Sequence, residues 1–158
     1  MPNVHPLFVH GRIVLLLFAP FLDVVGYVRR DHAYHRVAVL VLALGVVGTA
    51  ASIGTGYLAA HYVFHTPAAG QVIETHETLA LVLGGLALVL LAIRWLARDE
   101  TARRRLALVI VAEIVVLGTM VPITSYFGGE LVYHYGVGTP LLTPGGPGAK
   151  GTPRGVVP

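Results

Sequence analysis

The sequence predicts an all-α integral membrane protein, a four-helix bundle whose two termini both lie on the outer, extracytoplasmic side. Three observations lead there: four apolar runs of membrane-spanning length, few charged residues, and arginines confined to alternate connections. Hydrophobic residues make up 55% of the 158 positions and charged residues 12%, whereas a soluble domain is about 25% charged. The mean hydropathy is +0.74. A chain of this length holds one compact domain, so function rests on the bundle or on a partner.

The apolar runs are Val9–Val28, Val37–Ala60, Val72–Ala97 and Leu106–Phe127. Each approaches the ~20 residues a helix needs to cross ~30 Å of hydrocarbon. Arg29, Arg30, Asp31 and Arg36 separate the first pair, and Arg98, Asp99, Glu100, Arg103, Arg104 and Arg105 the last pair. Short Arg-rich connections stay cytoplasmic. The connection from Ala60 to Gln71 has no Lys or Arg, and Pro67, Ala68, Ala69 and Gly70 read as a turn on the outer side. The net charge of +3 therefore orients the chain in a bacterial cytoplasmic (inner) membrane and does not signal nucleic acid. Residues 1–137 form the transmembrane domain, and the Gly- and Pro-rich tail 138–158 is expected to be disordered. Met1 to His10 carries no Lys or Arg, so the first run lacks the leader of a cleavable signal and is expected to be retained.

No cysteine is present, which excludes disulfides, thiolate-bound zinc, iron–sulfur clusters and covalently attached haem. Histidine is the informative residue. Six of the eight fall near the outer face: His5 and His10, His61 and His65, His76, and His134; His32 and His35 fall in the cytoplasmic connection. His10 and His76 open two parallel spans at similar depth. Such a pair suits bis-imidazole ligation of a b-type haem held between helices. Arg12 then lies near the propionates; an arginine inside the bilayer either snorkels to the interface or is paired, here with a propionate, Glu74 or Glu77. His5, His61, His65 and His134 are further candidate ligands for a second centre.

Gly48, Ser52 and Gly56 give the second span a flat face that admits either a neighbouring helix or a porphyrin. Asp23 and Glu113 sit inside spans toward the cytoplasmic side in a layer with Arg94; a structural ion pair, a hydrogen-bonded neutral acid and proton transfer are all open readings. Gly128-Gly129 is a candidate end of the fourth helix, with Leu131, Val132, Tyr133 and Tyr135 at the interface and Glu130 and His134 above the bundle mouth.

The run His5-Pro6-Leu7-Phe8-Val9-His10, Asp23, His76 and the closing Gly128-Gly129-Glu130-Leu131-Val132-Tyr133-His134-Tyr135-Gly136-Val137-Gly138 resemble a family of bacterial four-helix membrane proteins known as domain of unknown function 2231. Gly11-Arg12 stands where that family usually has Phe-Pro. The resemblance implies kinship with small b-type cytochromes, some of them joined to redox modules such as Rieske proteins. The expected function is thus a haem-b membrane subunit passing electrons between an outer-face redox partner and the quinone pool or a larger membrane complex. Alternatives are a non-haem zinc, copper or iron site built from the outer histidines with Glu74, Glu77 or Glu130, and a cofactor-free anchor or assembly subunit. Nothing resembles a nucleophile–base pair or a phosphate-binding loop, so catalysis by this chain alone is not expected.

Overall fold

The computed structural model describes residues 5–62, 66–96 and 103–138. They form four helices: α1 (His5–Arg29), α2 (His32–Tyr62), α3 (Pro67–Leu96) and α4 (Arg103–Tyr133). All four are long and apolar enough to cross a membrane, and no strand occurs among the described residues. The tail from 139 onward, with its expected disorder, lies outside them, as does His65.

The helices run past the apolar stretches because hydropathy marks the hydrocarbon zone, whereas capping groups decide where a helix stops. Three expectations change accordingly. His32 and His35 belong to the start of α2, not to a loop. Pro67–Gly70 is the first turn of α3, not a free turn: the Thr66 hydroxyl accepts from the Ala69 N–H at 3.3 Å, and Pro67 takes the first helical position, where its missing N–H costs nothing. Gly128-Gly129 does not end α4, which continues to Tyr133 and stops where Gly136 adopts a positive φ of 65°. Between α1 and α2 the chain reverses over two residues. Arg30 takes the left-handed conformation (φ 55°), the Asp31 N–H returns to the Gly26 carbonyl at 3.0 Å, and the Asp31 carboxylate caps α2 through the Ala33 N–H at 2.9 Å.

The packing follows a seven-residue rhythm. Buried positions on α1 are 12, 16, 19, 23 and 26, with Pro20 beside them, and on α3 they include 80, 83, 87, 90 and 94. Alternating steps of three and four make an a/d stripe, the pattern of left-handed bundles. One leucine from each helix, Leu16, Leu42, Leu83 and Leu117, forms a layer no more than 1% exposed. Large apolar side chains off the stripe, such as Val14, Leu40, Leu88 and Val115, stand outward and suit contact with lipid.

The α1–α2 pair is the most extensive contact in the bundle, and glycine permits it. A Cβ on Gly45 would come within 2.8 Å of Leu16, and one on Gly26 within 2.8 Å of the Tyr34 Cβ. The flat face of α2 is therefore filled by α1: Gly48 receives Arg12, and Gly56 the His5 ring.

Two substitutions test this packing in SDS or thermal unfolding of the purified protein. Gly26→Ala should destabilise by about 1–3 kcal/mol because the Tyr34 Cβ and the Asp31 carbonyl cannot both yield. Arg30→Gly should stabilise by about 1 kcal/mol by relieving the left-handed arginine.

Candidate functional site

The same stripe that carries the leucine layer also carries polar residues, and it sorts them into two clusters, one toward each end of the bundle. At the end bearing the termini, His5 and Arg12 stand on α1, Ser52 and Thr55 on α2, His76 on α3 and Thr124 on α4. His5 and Arg12 are seven residues apart, so they share a face.

Each of the two inward imidazoles sits against a glycine and is held at Nδ1. The His76 ring lies over Gly128, where a Cβ would be 3.0 Å from its Cε1, and its Nδ1 is 3.0 Å from the Thr124 carbonyl. A carbonyl only accepts, so Nδ1 carries the proton and the neutral ring keeps its lone pair at Nε2. The His5 ring lies over Gly56, with Nδ1 3.2 Å from the Thr55 hydroxyl. That hydroxyl donates to the Ala51 carbonyl at 2.8 Å, and the Ser52 backbone is a second hydrogen-bond partner of His5. Metal-binding histidines are typically oriented in this way through the ring nitrogen that is not the ligand.

Arg12 completes the cluster. It is 2% exposed, so it does not snorkel, and its Nε and one terminal nitrogen, NH1, have no hydrogen-bond partner. No ion pair joins it to Glu74 or Glu77 among the described residues. Its charge acts on both His5 and His76. A buried guanidinium with unused donors calls for an anion.

The expected pair His10 and His76 is not brought together. His10 is two residues from Arg12, about 200° round the helix; it is exposed, with Nδ1 on the Pro6 carbonyl of its own helix at 2.7 Å. His61 is likewise exposed and bonded to the Tyr57 carbonyl at 2.9 Å. His134 is exposed and lines, with Glu130, Tyr126, Gly129 and Tyr133, an open groove of ≈ 520 Å³ on α4. Among the described residues, no group of three or more His, Asp or Glu side chains comes together as a metal site. The residue underweighted by sequence reasoning is His5. Its signal was present in the seven-residue step from His5 to Arg12, which continues to Leu16, Ala19 and Asp23.

The second cluster lies toward the arginine-bearing connections and takes one side chain from each helix: Asp23, His35, Arg94 and Glu113. Arg94 pairs with Asp23, as their common layer suggests. His35 Nδ1 reaches the same carboxylate oxygen at 2.6 Å, so His35, expected in a solvated connection, is part of the interior. Glu113 Oε1 stands 3.4 Å from Arg94 Nε.

A family model described as "Predicted membrane protein (DUF2231)" matches residues 1–140. No curated protein and no solved structure matches the chain.

The unused donors of Arg12 set an expected outcome for the ligand-free protein. Arg12→Met, which keeps the length and removes the orphaned charge, should raise resistance to unfolding by about 1–3 kcal/mol. His10→Ala, on the outer face, should change it by less than about 0.5 kcal/mol. A large loss in Arg12→Met would show that the guanidinium has a partner within the fold.

Proposed function

The chain belongs to the DUF2231 family of predicted membrane proteins, and we propose that this member is a haem-b-binding electron-transfer subunit of the membrane. The proposed axial ligands are His5 and His76. The observation that carries this is the pairing of two inward imidazoles, both held at Nδ1, with a buried arginine whose Nε and NH1 have no partner among the described residues. A bis-imidazole haem asks the chain for just these groups: two ring nitrogens and a cation for its propionates. His10, the ligand first expected, is replaced by His5 because His10 faces outward.

When bound, the haem supplies one-electron redox chemistry; everything else belongs to the chain. Thr124 holds the His76 ring in the tautomer that presents Nε2, and Thr55 orients the His5 ring. Arg12 offers positive charge in a dry environment, where it attracts an anionic group far more strongly than in water. The leucine layer beneath separates this end from the second polar cluster.

We read the His5 and His76 end as the outer one, because Arg-rich connections favour the cytoplasmic side; there a redox protein would give or take the electron. The quinone pool or a larger membrane complex is the proposed other party. Reporter fusions should read external at Gly148 and cytoplasmic after Arg30; the reverse would put the haem on the inner side.

The reduced-minus-oxidised absorption spectrum of the purified protein tests the assignment. A low-spin b-type spectrum is expected, lost in His5→Ala and in His76→Ala and kept in His10→Ala and His61→Ala. Retention in His5→Ala with loss in His10→Ala would return the ligand to His10. Bound metal without a porphyrin band would replace the haem by a non-haem centre.

A further inference from the structure

The cluster of Asp23, His35, Arg94 and Glu113 has no part in the proposed haem site. Its Arg12 counterpart lies about 16 Å away along α1, beyond the leucine layer. The cluster brings two carboxylates, Asp23 and Glu113, into the membrane against one permanent cation, Arg94. A charge in that position is costly, and paired groups normally cancel there. Asp23 is answered twice, by Arg94 and by His35 at 2.6 Å. Glu113 is answered less closely: it is 0% exposed, neither carboxylate oxygen makes a hydrogen bond, and its ion pair is with Arg94 Nε at 3.4 Å. Arg94 gives its hydrogen bond to Asp23 through a terminal nitrogen, so a single guanidinium faces both carboxylates. Two carboxylates sharing a buried site do not both ionise freely.

We infer that this cluster is an intramembrane proton-binding site, in which Glu113 holds the proton and His35 connects it to the aqueous phase at the arginine-bearing end. Each helix contributes one facing group: Asp23 from α1, His35 from α2, Arg94 from α3 and Glu113 from α4. His35 is the exit because its side chain is 13% exposed while Asp23 and Glu113 are 1% and 0%. The exposed His32 ring lies 6.2 Å from it. In loading, water gives a proton to His35 Nε2 as the Nδ1–H bond breaks and an O–H bond forms on Asp23. Asp23 passes that proton to Glu113 as its own O–H bond breaks, and loss of the Nε2 proton to water with uptake of one at Nδ1 restores the starting tautomer of His35. One proton enters, one carboxylate is neutralised, and no electron moves. Leu16, Leu42, Leu83 and Leu117 close the path toward the other end, which makes this a site that fills and empties from one side. The inference is independent of whether the chain binds haem.

Infrared spectroscopy of the full chain in lipid nanodiscs at neutral pH tests it. A protonated-carboxyl carbonyl band is expected that shifts in deuterated water, moves on labelling with ¹³C-glutamate but not ¹³C-aspartate, and disappears in Glu113→Gln. The labelling result identifies the group even if that variant does not fold. His35→Gln should keep the band and slow its deuterium exchange by about a hundredfold, whereas His32→Gln should leave the exchange close to wild type. No protonated-carboxyl band, a band that follows aspartate, or unchanged exchange in His35→Gln would overturn the inference.

Discussion

Hydrocarbon offers no hydrogen bonds, so a charge carried into the bilayer must be answered by the protein or by something the protein binds. The a/d stripe of this bundle carries several such charges inward. Leu16 and Ala19 lie on the same α1 stripe as Arg12 and Asp23, and Leu83 and Ala87 on the same α3 stripe as Arg94. Burying the leucines therefore buries the charges. At one end the account nearly closes within the chain: Arg94 and His35 meet Asp23, and Glu113 is answered less closely. At the other it does not close, since Nε and NH1 of Arg12 have no acceptor among the described residues. The two proposed functions arise from these two remainders, a proton for the extra carboxylate and an anionic cofactor for the extra guanidinium.

Small residues make the polar layers possible. Gly48 lets Arg12 in against α2, Gly56 and Gly128 accept the rings of His5 and His76, and Gly26 brings α1 onto α2 beside His35. Close backbone approach through glycine is a general device of membrane helices. Here its result is that side chains with chemistry, and not only leucines, occupy the interface.

The fold was legible because span length and Arg asymmetry are coarse signals that no tertiary detail overrides. The helix ends were less so: Pro67 looks like a turn until Thr66 is seen as its cap, and Gly128-Gly129 looks like a stop until Gly128 is seen to make room for a ring. Depth alone pairs His10 with His76, but a helical residue is placed by its angle as well as by its height. His10 has the right height and faces outward; His5 lies a little more than one turn further out but on the inward face. Leaving out the angle likewise puts His35 in a loop, although its seven-residue spacing to Leu42 and Thr49 aligns it with the buried stripe of α2. The Asp23–Arg94 pair was legible because long side chains in one layer of a narrow bundle meet with little regard to angle.

The most direct measurement is an experimental density map of the protein purified from its membrane without added ligand. A planar macrocycle bound through the Nε2 atoms of His5 and His76, with an acidic group against Arg12, is the predicted result. The two rings packed on protein or water alone, with a protein carboxylate or a simple ion at Arg12, would contradict the haem assignment.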